Sequence, residues 1–155
     1  MTADQKRVRI TRILVLVFLM VSILMCIFGV QFEKAILPAV HSTNITFLDQ
    51  HRFVIILILG YCCAAALLIM LVTMYRFLKR IETGMLFTAE NIKALQIISQ
   101  CCLAGGALTL LIAILYTRWL LVITIAAWFM MLIVRIVESA FARALAMKDE
   151  LDLTI

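Results

Sequence analysis

Apolar positions in this chain are grouped into long blocks instead of alternating with polar ones. Residues 13–32 form an uncharged run of 20, and residues 53–75 a second of 23. A helix rises about 1.5 Å per residue, so each run is long enough to cross a hydrocarbon core about 30 Å thick. Residues 97–134 hold 38 positions with a single charge, Arg118. One helix over that stretch would be roughly 57 Å long, nearly two crossings. The chain is therefore expected to reverse within Tyr116, Thr117, Arg118 and Trp119, whose two aromatic rings and snorkelling cation suit a membrane interface. The pattern predicts spans at 13–32, 53–75, 97–116 and 119–134, an outer loop at 33–52, an inner loop at 76–96 and a tail at 135–155. Backbone groups in lipid must be satisfied internally, and the alternation that a closed barrel needs is absent. The expected fold is all-α: a four-transmembrane-helix bundle with cytoplasmic helical extensions, forming a single membrane domain over residues 1–155.

Composition agrees with this reading. Of the 155 residues, 66% are hydrophobic and 15% charged, and the mean hydropathy is +1.15. Soluble domains average about 45–50% apolar and about 25% charged residues, so a soluble globular protein is excluded, as is a disordered chain. The first apolar run is longer than the roughly 7–15 residues of a signal-peptide core and has no convincing small-x-small site after it, so it is read as a retained span.

The cations set the orientation. Lys6, Arg7, Arg9 and Arg12 precede the first span, Arg76, Lys79, Arg80 and Lys93 lie between the second and third, and Arg135, Arg143 and Lys148 follow the fourth. That places eleven on the side of the termini against three (Lys34, Arg52, Arg118) on the other. The positive-inside rule then puts both termini in the cytoplasm of a multi-pass inner (plasma) membrane protein. The net charge of +5 reflects topology and anionic headgroups, and direct nucleic-acid binding is not expected.

The inner loop carries the most local information. Gly84 is placed to end an extension of the second helix. Thr88 is a suitable N-cap for the third helix, with Phe87 and Ile92 at the spacing of a hydrophobic staple and Glu90 beside the positive helix end. Asn91 stands where a capping box would have Glu or Gln. The expected product is a rigid helix–turn–helix corner at the membrane surface. After the fourth span, Val137, Phe141, Ala144 and Leu145 make an apolar stripe, and Arg135 and Glu138 are spaced for an ion pair. The stripe packs on the inner-loop helices or binds a partner. The helix is expected to run to about Lys148, leaving an acidic then alternating end that frays or adds a strand to a partner.

Taken together, Gly84, Phe87, Thr88, Glu90, Asn91 and Leu95 make a G-x-x-F-T-x-E-N-x-x-x-L pattern, and the tail has Phe141, Leu145, Asp152 and Thr154. This resembles a bacterial family of small four-span membrane proteins of unknown function. The resemblance implies a neighbouring gene for a helix-turn-helix regulator, and with it a regulatory partner. It assigns no activity to any residue. Where a glycine would be expected between Phe141 and Leu145, this chain has Ala142, Arg143 and Ala144.

Chemistry within the membrane is not indicated. Intramembrane ionisable groups mark pumps and membrane enzymes, and the four span cores contain no Asp, Glu, Lys, Arg or His. In the outer loop, His41 and His51 have only Glu33 and Asp49 as companions for a metal. The five cysteines, Cys26, Cys62, Cys63, Cys101 and Cys102, all lie in spans without a C-x-x-C pair and are read as small packing residues. Gly60 with Ala64, Cys101 with Gly105 and Cys102 with Gly106 have the spacing that lets helices approach closely, in the bundle or in a homodimer. No enzyme, cofactor or metal is expected. The leading reading is a non-enzymatic protein whose partners are the lipid bilayer and a cytoplasmic helix-turn-helix regulator or another membrane subunit. The alternatives are a transport or permeation component binding an apolar molecule, near Met130 and Met131, and a structural accessory subunit.

Overall fold

The computed structural model describes residues 3–36, 51–83, 88–116 and 118–153. Four helices account for nearly all of them: α1 (Ala3–Ile36), α2 (Arg52–Glu82), α3 (Ala89–Leu115) and α4 (Leu120–Leu153). The chain is an all-α four-helix bundle. Each helix contains a segment long and apolar enough to cross a membrane, from Val8–Gln31 in α1 to Leu120–Lys148 in α4, and the protein is a multi-pass membrane protein.

The helices outrun the apolar blocks. At about 1.5 Å per residue, the 34 residues of α4 extend about 51 Å and the 31 of α2 about 46 Å, well beyond a 30 Å core. The excess lies at the end of the bundle that carries both termini, here called the near end. There α2 continues past Tyr75 to Glu82, α3 starts at Ala89, and the region expected as an inner loop is mostly helix. At the other side of the bundle, the far end, α1 continues past the first apolar run to Ile36.

The reversal expected between the third and fourth spans is where the interface residues stand. α3 closes at Leu115 with Tyr116 as C-cap, its N–H bonded to the Ile112 carbonyl at 2.9 Å. α4 opens through bonds from Leu121 N–H to Arg118 and from Val122 N–H to Trp119. Tyr116 turns inward and is buried, while Trp119 is 84% exposed. Tyr116 thus anchors the turn from within and Trp119 faces the interface.

Two expectations for the tail are corrected. The helix does not stop near Lys148 but continues through Leu153, so residues 149–153 are neither frayed nor a strand. A preformed helix adds one hydrogen bond for each further residue it orders, and no Gly or Pro stands in the way. Arg135 and Glu138, spaced to pair with each other, both turn to α3: Arg135 Nε donates to Ser99 Oγ (3.4 Å), and Glu138 Oε1 accepts from Gln96 Nε2 (2.9 Å).

Packing follows chain order. α1 lies on α2, α2 on α3, and α3 on α4; α1 makes no comparable contact with α3 or α4. The α1–α2 seam is built on Val15, Leu71 and Leu78, with Tyr61 Oη donating to the Cys26 carbonyl (3.0 Å) further along. The α3–α4 seam runs in antiparallel register from Gln96–Glu138 and Ser99–Arg135, through Gly106 against Trp128, to the hydroxyl pair Thr109–Thr124 (3.1 Å).

Of the small-residue pairs noted in the sequence, Gly106 marks a close approach. A Cβ there would stand 2.5 Å from the Trp128 ring, whereas one at Gly60 or Gly105 would meet nothing within 4 Å. Gly106→Ala must therefore push Trp128 aside and is expected to cost about 1–3 kcal/mol, the usual penalty of overpacking. Gly105→Ala is expected to be neutral or mildly stabilising, because alanine is the better helix former by about 1 kcal/mol. Thermal unfolding of the two variants in the same detergent checks the contrast.

Candidate functional site

The corner between α2 and α3 is the first candidate. Gly84 and Phe87 lie outside the described residues, so the glycine stop and the Phe87–Ile92 staple are not described either. Thr88 is the N-cap of α3 in extended conformation (φ −132°, ψ 147°). Its backbone carbonyl accepts from the N–H groups of Asn91 (3.0 Å) and Ile92 (3.4 Å). Its hydroxyl makes no cap hydrogen bond and is buried without a partner. The cap is thus made by backbone instead of by the side chain anticipated from the residue type.

The other motif residues divide by face. Asn91 is 0% exposed and Leu95 is buried, and with Thr88 they fall on one side of α3. Glu90 points outward, with its side chain 70% exposed, and pairs with Arg80 on α2 at 2.9 Å. It therefore joins the two helices while standing next to the positive end of α3. Arg12 of α1 pairs with Glu82, the last residue of α2. The basic segment before the first span thus has a structural use that charge counting alone did not indicate.

The tail residues meet the same region. Phe141 of α4 packs its ring on Phe77 of α2, centroids 6.2 Å apart and planes tilted by 55°. Leu145 is half-buried one turn further on. Asp152 lies in the last turn of α4, its side chain beyond the description, and Thr154 is outside the described residues. The near end is thus held by Arg12–Glu82, Arg80–Glu90, Phe77–Phe141, Gln96–Glu138 and Arg135–Ser99, which together engage all four helices. Lys79, Lys93 and Arg143 stand exposed around it.

A second candidate went unseen as a unit in the sequence. Above the Phe77–Phe141 contact, α2 and α4 do not pack on each other, and α3 forms the floor of a groove between them. Its volume is about 650 Å³. Small residues such as Ala66, Gly105 and Ala127 give it depth, and Cys63, Met70 and Cys102 give it a sulfur-rich wall. Cys102 Sγ lies 3.7 Å from Met70 Sδ. Thr109 supplies a hydroxyl, already bonded to the carbonyls of Gly105 and Gly106 and paired with Thr124. No charged side chain lines the groove. Met130, noted in the sequence as a contact for an apolar molecule, is on its wall. The spacing of Cys101, Cys102 and Gly105 was the available signal, but it does not tell a tight contact from an opening.

The two sides of the corner predict different responses. Asn91→Ala removes a fully buried side chain and is expected to cost about 2 kcal/mol. Glu90→Gln loses an ion pair whose carboxylate is mostly in solvent and is expected to cost less than about 1 kcal/mol. Thermal unfolding in detergent at low and high salt measures both, and only the second should weaken with salt.

No curated protein and no solved structure matches the chain. One family does, described as protein of unknown function (DUF2975), over residues 37–155, which takes in the corner, the groove and the tail. The chain belongs to that family.

Proposed function

We propose that this protein is a non-enzymatic component of the bacterial inner membrane, with both termini in the cytoplasm, that works by docking a cytoplasmic regulator on its near end. The observation that carries this reading is the concentration of polar interhelix contacts and helical overhang at that end. α2 and α4 project beyond the hydrocarbon core there, and five contacts tie the helices together. The far end between α3 and α4 is only a short turn. A preorganised surface loses less entropy on binding than a mobile one. The excess of cations on the side of the termini supports a cytoplasmic placement. The resemblance in the corner motif favours a helix-turn-helix regulator as the partner, with another membrane subunit as the alternative.

Within the motif, the inward residues Thr88, Asn91 and Leu95 set the shape of the corner, and Glu90 with the neighbouring Lys93 is its outward face. Charge reversal at Glu90 and Lys93 is expected to abolish co-purification of the partner from native membranes while the protein accumulates normally. Asn91→Ala is expected to lower accumulation itself. Recovery of the same partner by the charge-reversed protein would overturn the docking assignment.

The groove favours a second reading, a component that binds or passes an apolar molecule. Its volume falls within the roughly 300–1,000 Å³ of small-molecule sites. Flux of an apolar dye through protein-containing liposomes, compared with protein-free ones, tests it.

A further inference from the structure

The groove between α2 and α4 is open along its length. Among the described residues α1 contributes none to its lining and packs on α2 without a comparable contact to α3 or α4, so neither a helix nor a loop covers it there. Its lining has no charged group, and its hydroxyl is already hydrogen-bonded, so the complementary ligand surface is hydrocarbon.

From Cys63 to Phe77 the α2 wall is about 21 Å long at ~1.5 Å per residue, a path that one extended acyl chain can follow. Closure at one end decides which hydrocarbon suits it. Phe77 and Phe141 meet across the near end of the groove, so a partner helix lying in it would run into the ring pair before leaving the membrane. A flexible chain that is one methylene wide does not meet that obstacle.

The near end also supplies a charge. Val134 lines the groove, and Arg135, the next residue of α4, lies outside the lining, exposed beside the α3–α4 seam. Its Nε donates to Ser99 Oγ, which fixes the guanidinium at the α3–α4 seam, and the group has further N–H donors in a planar fork suited to phosphate. The acidic residue on the same turn, Glu138, accepts from Gln96. Arg76, beside Phe77 on the opposite wall, is exposed as well.

We propose that this groove binds one acyl chain of an anionic phospholipid from the leaflet on the side of the chain termini, with its phosphate at Arg135. Bulk lipid solvates a hydrocarbon chain as well as a protein wall does, so selectivity comes from the fit of the groove and from the headgroup cation. The inference names the ligand class of the second reading and rests on membrane placement, not on transport. Failure of the flux assay therefore leaves it standing, and loss of lipid binding counts against the lipid site whatever the flux.

Native mass spectrometry of the full chain, extracted in mild detergent and supplied with equal anionic and zwitterionic phospholipids of the same chain length, tests the proposal. The expected result is one retained phospholipid per chain, anionic over zwitterionic by about tenfold. Ala66→Phe with Ala127→Phe fills the groove and is expected to reduce retention at least fivefold, whereas Leu132→Phe on the exposed face of α4 leaves it unchanged. Arg135→Gln is expected to keep a lipid but lose the anionic preference. A second measurement on the unmodified protein guards against misfolded variants: an anionic phospholipid with a diazirine in its acyl chain should label peptides of residues 63–77 and 123–134 in preference to the exposed face of α1. Undiminished retention in the filled variant, even labelling over α1, or a filled variant that loses a dimer and keeps its lipid overturns the proposal.

Discussion

Apolar side chains gain little by leaving lipid for protein, so a bundle in a membrane has to be held by close packing and by polar contacts between helices. This protein applies that constraint unevenly. The α3–α4 pair has both kinds of contact, with Gly106 admitting the Trp128 ring and hydrogen bonds at Gln96–Glu138, Ser99–Arg135 and Thr109–Thr124. α1 has an apolar seam, an ion pair and a tyrosine bond, all directed at α2, and otherwise presents large apolar side chains such as Phe18, Met20 and Ile27 outward. The groove is the gap left where α2 and α4 are each held to α3 but not to one another.

The same constraint explains why the polar contacts collect at one end. Ion pairs are expensive to bury in hydrocarbon and nearly free at its edge, and the helices that overrun the core on the side of the termini provide such an edge. Arg12, Arg80, Glu82 and Glu90 lie there, and the Phe77–Phe141 ring contact closes the gap between α2 and α4 at the same level. This end combines four polar contacts between helices with helical segments that extend beyond the hydrocarbon core. The docking surface and the lipid site share a boundary there, since Leu95 of the motif lines the groove and Phe141 of the tail closes it.

The four crossings and the turn at Tyr116–Trp119 were legible because length and interface chemistry act locally: 38 nearly uncharged residues fit no single crossing. The cap at Thr88 was legible as a position, but its buried hydroxyl was not, since the side chain's direction depends on what packs around the corner. Arg135 and Glu138 looked like partners from their spacing, yet α3 offers Ser99 and Gln96 at the same height. The groove was least legible. Cys63, Met70 and Cys102 fall within apolar runs that read the same whether a position faces lipid, a neighbour or a cavity.

The sequence by itself determined that the chain is helical, that it crosses the membrane four times, and that its charges lie mainly on one side, because each of these follows from transfer of individual residues between water and hydrocarbon. Only the tertiary structure decided which helices touch. In lipid every rotation of an apolar helix is nearly equivalent in solvation, so the choice rests on shape and on a few polar groups. Gly106 makes a contact and Gly105 an opening for that reason, although they are adjacent in the chain and alike in composition.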